Sequence, residues 1–555
     1  MAKKITRRQA LLGVSSTLLL QAACSNSTDG SNEPPDAVFA HGVASGDPDQ
    51  SSVVIWTRVS NISGPVDVDW FVATDAGFQN IAAQGRFTTD GNRDHTVKVV
   101  AGNLQPGQDY YYQFAVNDTT SIPGRTKTLH VGHLERLVIA VASCSNFPFG
   151  YFNAYEVIAN DPEIDVVAHL GDYIYEYSTA GYGGETGKRI GRDHEPSHEI
   201  NSLADYRQRH AQYKTDPGSL AMHARHPLIV IWDDHESANN PWMEGAQNHQ
   251  ADEGDWHERR SASLKAYYEW LPIRDPAPGF TPEQYWRHYK FGDLASLITL
   301  ESRHSGRSQQ IEYPDQPRFE TESEAQEFYD TVVRAPGRNF LSSELEAFLA
   351  DEFEESVDAG RRWRIIGNQS VMAKSVEPRL VDPFFEQLWD QLNEEGRRSL
   401  DSRRRLGALR LPGDLDAWDG YPEARERFYQ VAKDAGAHDL LVISGDSHSY
   451  WANALYDDDG MSMGVEIGTT GISSPRSLLS LGEEGLKRYD ELIAAQNKEI
   501  VWADGRHRGF IRLAIDHEGA TAEYVTVSNV ETRDFETRIV YTANIESTDG
   551  TLRYV

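Results

Sequence analysis

Three short clusters and one cysteine carry side chains able to hold a metal or move a proton. Gly171-Asp172-Tyr173-Ile174-Tyr175 places a short carboxylate directly after a glycine. Such a carboxylate can lie between two cations and bridge them. The phenol of Tyr175, three residues on, can turn back to the same centre as a hard anionic donor. In Asp233-Asp234-His235-Glu236, Asp234 offers oxygen to a metal and His235 can protonate a leaving alkoxide. Glu236 is expected to orient that imidazole. Gly445-Asp446-Ser447-His448 sets a carboxylate and an imidazole at alternate positions, so both can point towards neighbouring cations. Cys144 follows an apolar run, where a thiol is either a small core residue or a thiolate ligand. Its place in the same strand-end layer as Gly171-Asp172 favours the ligand. Glu301 and Asn368 are further oxygen candidates, and Arg225 and Arg303 are candidates for binding phosphate. Each of these residues also has a purely structural reading: a cap, a core tyrosine, an imidazole satisfied by a local carboxylate, an ordinary ion pair.

What must position them is a set of buried strands. Leu137–Ala142, Ile164–Leu170, Leu228–Trp232, Leu297–Leu300, Trp363–Ile366 and Leu440–Ile443 are apolar runs, and each empties ligand-capable residues from its C-terminal end. That is the layout of an α/β active site. A helix is expected over Tyr151–Asn160. The polar stretches 178–225, 238–290 and 305–360 are expected to cap the site. The tail from Gly509 to Val540 alternates like strands and completes a layered β-core. Before this body, residues 37–134 read as a small β-sandwich. Val66–Val72 alternates, and Leu104-x-Pro106-Gly107-x-x-Tyr110-x-Tyr112-x-Phe114 resembles the tyrosine-corner stretch of fibronectin-III-like domains. Gly42-Val43-Ala44-Ser45-Gly46-Asp47-Pro48 reads as a structural turn.

The order of these blocks resembles the calcineurin-like metallophosphoesterases, and within them the PhoD-type alkaline phosphatases. Gly171-Asp172-x-x-Tyr175 looks like the purple-acid-phosphatase form of the second block. Asp234-His235-Glu236 stands where Asn-His-Asp/Glu would, and Asp446-x-His448 where His-x-His would. Gly42–Pro48, Ala142-Ser143-Cys144, Gly171–Tyr177, Asp416–Tyr421 and Arg508-Gly509-Phe510 extend the match over the mature chain. The resemblance implies an α/β fold with a layered α-β-β-α core at 135–555 behind the sandwich at 37–134. It implies Fe(III) held by Cys144, Asp172, Tyr175 and His448, and Ca²⁺ near Asp172, Asp234, Asn368 and Asp446. It implies an exported alkaline phosphatase that hydrolyses phosphate esters and releases inorganic phosphate, His235 assisting the leaving group. Glu301 stands where an Asp-x-Arg strand end would carry Asp. Two alternatives stay open: a phosphodiesterase or phospholipase-D-like activity at the same site, and a vestigial surface binding module.

The chain has 555 residues, ample for a large core with an accessory domain. Its 53 Lys+Arg against 85 Asp+Glu give a net charge of −32, which excludes nucleic acid as a stable partner. Small phosphate esters, phosphodiesters or phospholipids are the expected partners, and a monomer is expected. Residues 1–24 carry a basic start and a short apolar segment, with Thr6-Arg7-Arg8-Gln9-Ala10-Leu11 resembling a twin-arginine export signal. Ala22-Ala23-Cys24 resembles the end of a lipobox, so a lipid anchor at Cys24 is an expectation. Residues 25–36 are a polar tether. The expected place is the periplasm, the cell surface or the medium. Cys24 and Cys144 are the two cysteines, so the folded body has no disulfide framework.

Overall fold

The computed structural model describes residues 38–313, 319–548 and 550–555. The export signal and the tether lie outside the described residues.

All six apolar runs are strands: Arg136–Ala142, Val166–His169, Leu228–Val230, Ala295–Thr299, Trp363–Gly367 and Leu440–Ser444. The first three are neighbours, parallel, in a ten-stranded sheet. The last three are neighbours, parallel, in a seven-stranded sheet. Side chains on successive residues of a strand point to opposite faces, and the seven-stranded sheet obeys this period of two. Leu297, Ile365, Leu441 and Ile443 enter an apolar cluster shared with Ile139, Val141, Val167 and Ile229 of the large sheet. Ile298, Ile366, Leu440 and Val442 turn the other way. There they meet Leu345 and Phe353 of helix Ser343–Asp358, Phe428 of helix Pro422–Asp434 and Leu486 of helix Gly482–Gln496. Each such side chain contributes about 1.5–3 kcal/mol when fully buried. The strand ends that carry chemistry therefore emerge from a rigid base.

The two sheets are also tied together at those ends. Ser143 forms an isolated parallel bridge with Gly471, and Thr469 Oγ1 donates to the Val141 carbonyl at 3.2 Å. The tail supplies strands Arg508–Asp516, Ala520–Val527 and Thr537–Thr548 to the large sheet, as its alternation implied. The helix expected over 151–160 runs from Asn153 to Ala159.

The first hundred described residues divide between two sheets. Val66–Ala73, Ile81–Thr89, Asp109–Val116, Thr119–Thr120 and Gly124–Lys127 form a five-stranded sheet. Val43–Gly46, Val53–Arg58 and Thr96–Ala101 instead continue the large sheet, Gly46 pairing with Leu228 in parallel. One cluster joins the two halves, with Val53, Ile55 and Val97 packed against Val68, Val72, Tyr112 and Phe114. The Tyr110 hydroxyl accepts the Gln105 N–H at 2.8 Å, the tyrosine-corner bond. The Gly42–Pro48 turn has a structural role. A Cβ on Gly46 would lie 2.6 Å from the Leu228 carbonyl oxygen, so glycine is required for the approach. Asp47 next to it accepts from the Arg274 N–H at 2.9 Å and the Tyr289 hydroxyl at 3.1 Å.

One expectation about capping is corrected. Residues 178–225 and 238–290 do reach the cleft above the strand ends, through Tyr182, Asn239 and Asn240. Among the described residues, the stretch 305–360 contributes none of the lining. Its helix buries Leu345, Leu349 and Phe353 against the outer face of the seven-stranded sheet instead. The rest of the cleft wall comes from 371–419, 446–451 and 476–493.

Candidate metal centre

The C-terminal ends of four strands converge on one acidic point. Cys144, Asp172 and His448 offer ligand atoms within 4.8 Å of one another, as do Asp233, Asp234 and Asp446, and as do Asp172, Asp234 and His235. Asp172 and Asp234 thus connect a mixed S/N/O group to an all-carboxylate group. Four of these residues turn the chain through the left-handed region: Cys144 at φ 60°, Asp172 at 56°, Asp446 at 60° and His448 at 53°. For residues other than glycine this costs on the order of 1–2 kcal/mol each, and such strain gathers where a site over-determines its geometry. Gly171 makes the approach possible, since a Cβ there would lie 2.3 Å from Asp233 Cβ, and its φ is 100°.

Hydrogen bonds fix the orientation of each group. The Tyr175 hydroxyl donates to Asp172 Oδ2 at 2.8 Å, accepts from Ser474 Oγ at 2.8 Å and lies 3.2 Å from His448 Nε2. His448 Nδ1 donates to the Pro475 carbonyl at 2.9 Å, which leaves the Nε2 lone pair facing Tyr175 and Asp172. His235 Nδ1 bonds Glu176 Oε2 at 2.7 Å, and its ring stacks on Tyr175 with centroids 4.2 Å apart. Asp234 accepts the N–H groups of His235 at 2.9 Å and Asn240 at 3.0 Å.

The electrostatics are those of carboxylates short of positive charge. Burial pushes Asp172 well up, and Asp234 and Glu236 add to it. Burial also raises Asp446, with Asp233 adding repulsion, and raises Asp233 against the pull of Arg303. Cys144 and Tyr175 are pushed up by burial and then by Asp172. His235 goes the other way: burial pulls it down, but Asp234, Asp172 and Glu176 outweigh that and hold it protonated. His448 is pulled down to about 3 by burial and stays neutral, the form that ligates metal. Asp233 Oδ2 is buried without a hydrogen-bond partner among the described residues. A bound cation would reverse the shifts of the thiol, the phenol and the carboxylates, so the donor set fits one.

Several sequence expectations are corrected here. Glu236 does not orient His235. Its carboxylate accepts the backbone N–H groups of Asp172 at 3.1 Å, Asp233 at 2.8 Å and Tyr173. Glu176 holds the imidazole instead. Arg303 does not face substrate: it is fully buried, with Nε on Asp233 at 2.6 Å and Nη1 on Asp416 at 2.5 Å. Arg225 is exposed at the end of helix Pro217–Arg225, which feeds the N-terminal end of strand Leu228–Val230, away from the site. Asn368 gives its amide to protein, Oδ1 accepting from Trp418 Nε1 at 3.1 Å and Nδ2 donating to the Ser370 carbonyl. Glu301 caps its own loop, accepting from the N–H groups of Arg303, His304 and Ser305 at 2.7–2.8 Å. Asp233, Glu176 and Asp416 are site residues that sequence reading did not single out. Asp233 was in view within its acidic block, but nothing local marks which carboxylate faces the centre.

Above the cluster opens a cleft of about 460 Å³, lined by Asp234, His235, Asp446 and His448 at its floor. Cations clustered at such a floor would face a phosphoryl group in the cleft, with the His235 imidazole beside it.

Comparison with known proteins agrees with this chemistry. Residues 139–524 match the family described as PhoD-like phosphatase, and residues 23–130 match the PhoD-like phosphatase N-terminal domain. Alkaline phosphatase D of Bacillus subtilis (strain 168) is 32% identical over 498 residues, 88% of this chain and 77% of that protein. A solved structure of PhoD superposes with a TM-score of 0.75 at 29% identity, covering 95% of this chain and 93% of the other.

Proposed function

We propose that this chain, which belongs to the PhoD-like phosphatase family, hydrolyses phosphate esters at a two-cation centre outside the cytoplasm. That it is a phosphoric ester hydrolase follows from the family. The finer reading rests on one observation: two ligand groups of different chemistry, Cys144–Asp172–His448 and Asp233–Asp234–Asp446, meet at Asp172 and Asp234. Cys144, Asp172, Tyr175 and His448 form a mixed set suited to Fe(III). Asp234 and Asp446, with Asp233 beside them, form an all-oxygen set suited to Ca²⁺. Cations bound there supply Lewis acidity to the phosphoryl oxygens. His235, anchored by Glu176 at 2.7 Å, is the group placed to give a proton to the leaving alkoxide. Arg303 neutralises Asp233 and Asp416 from behind. The helices on both sheets support the layered α-β-β-α reading, and the Thr6–Leu11 segment supports export by the twin-arginine route.

A chromogenic assay with p-nitrophenyl phosphate and bis-p-nitrophenyl phosphate tests the reading. Dialysis against a calcium-selective chelator is expected to abolish turnover, and Ca²⁺ to restore it better than Zn²⁺ does. Restoration by Zn²⁺ alone would overturn the assignment of the carboxylate group.

A further inference from the structure

The ten-stranded and seven-stranded sheets are joined a second time, at the strand ends opposite the metal centre. Strand Arg136–Ala142 begins there, and strand Arg508–Asp516 ends there with Asp516 paired to Arg136. The turn from Arg287–Phe291 into Ala295–Thr299 reaches the same place from the seven-stranded sheet. Each of the three brings one ligand-capable side chain: His133, His517 and Asp293. Their ligand atoms lie within 4.8 Å of one another.

Backbone bonds hold the three segments in place. The Asp293 N–H donates to the Gly132 carbonyl at 2.9 Å, and its Oδ1 accepts the Leu134 N–H at 3.0 Å. Gly292 permits this approach: its φ is 56°, and a Cβ there would lie 2.2 Å from the Gly132 carbonyl oxygen. Arg362 joins the other two segments, its N–H on the Asp293 carbonyl at 3.3 Å and its Nε on the His517 carbonyl at 3.2 Å. The two imidazoles stack, with centroids 4.9 Å apart and planes 16° apart. Both then face one carboxylate: His133 Nδ1 lies 3.0 Å from Asp293 Oδ2, and His517 Nε2 lies 3.6 Å from Oδ1. The His133 bond and the Leu134 N–H hold the Asp293 carboxyl below the usual range, so it is an anion at neutral pH.

Two imidazoles and a carboxylate are the donors of a first-row divalent ion such as Zn²⁺, with bonds of about 2.0–2.2 Å and a water completing the shell. Ca²⁺, which takes about six to eight oxygens, suits them poorly. Binding would cost the His133 bond to Asp293 and the His517 Nε2 bond to the Leu134 carbonyl at 3.1 Å. Both rings are solvent-accessible, so each can carry its proton on the other nitrogen in water. We propose that His133, Asp293 and His517 bind a divalent first-row transition ion of the Zn²⁺ kind, and that this ion clamps the two sheets at the end away from the strand-end cluster. The proposal does not rest on the phosphatase reading.

The test titrates Zn²⁺ into the purified metal-loaded protein by calorimetry and follows thermal unfolding at the same zinc concentrations. Wild type is compared with His133→Ala and His517→Ala. Neither side chain belongs to the core or to the strand-end cluster, so turnover before zinc is added is expected to be unchanged. The wild type is expected to show a zinc-binding event that either substitution weakens by about tenfold or more, since losing even a partner of a metal ligand costs about that factor. Its thermal midpoint is expected to rise with zinc further than that of either variant. Zinc isotherms that do not differ among the three proteins would overturn the site. A zinc event lost in the variants, with no rise of the wild-type midpoint, would overturn the clamp.

Discussion

His235 owes its direction to a residue that lies 59 positions away in sequence. Glu176 takes Nδ1, receives the Asn239 N–H at 2.8 Å and the Asn248 amide at 2.8 Å, and is buried. Glu176→Gln keeps the shape and removes the charge. Steady-state kinetics are expected to give a kcat lower by about tenfold or more, with a thermal midpoint near wild type. A kcat within about twofold of wild type would remove Glu176 from the proton-donor account. This residue stood inside the Gly171–Tyr177 run, but its role depends on where the fold brings His235, which spacing does not reveal. Asp172, Tyr175, Asp446 and His448 were legible because a glycine or a strand end places them by local geometry alone. The arginines were not: residue type and strand-end position say nothing about whether a guanidinium meets substrate or, as in Arg303, three carboxylates.

At the scale of elements, the strands were the easiest part to read, since buried parallel strands appear as continuous apolar runs. The cleft wall was the hardest. Residues 372–376 form no helix or strand, yet their N–H groups are satisfied. Met372 and Ala373 donate to Glu466, Lys374 to Glu499, Ser375 to Asp419 and Val376 to Asn497. Side chains replace a ladder here, and no periodicity announces that. The arrangement has a pH signature. Burial raises Glu499 from 4.5 to about 7, against the Lys374 N–H and the charges of Arg425 and Lys374. A carboxyl with a raised folded pKa contributes its stability fully below the unfolded value, near 4.5, and loses it as pH rises through about 7. Glu499→Gln is therefore expected to stabilise the fold at about pH 8 by roughly 1–3 kcal/mol and to change little near pH 4.5. Chemical denaturation at both pH values checks this. A variant less stable than wild type at the higher pH would contradict it.

Across the whole molecule, the N-terminal strands and the catalytic strands share one sheet, and the Gly42–Pro48 turn is the seam between them. The sequence marked a sandwich boundary near residue 134 because composition changes there. It did not show that Val43–Gly46 crosses that boundary, since strand pairing is a long-range property. A second joining, between the large and the seven-stranded sheets, brings Cys144 from one against His448 from the other, with the Ser143–Gly471 bridge between. The central claim is that this junction holds iron through the Cys144 thiolate and the Tyr175 phenolate. Visible absorption and metal content of the purified enzyme, measured beside Tyr175→Phe, test it most directly. The account predicts a charge-transfer band with bound iron in the wild type, bleached or shifted in Tyr175→Phe together with lowered activity and an intact fold. A colourless, iron-free wild type with full phosphatase activity would contradict it.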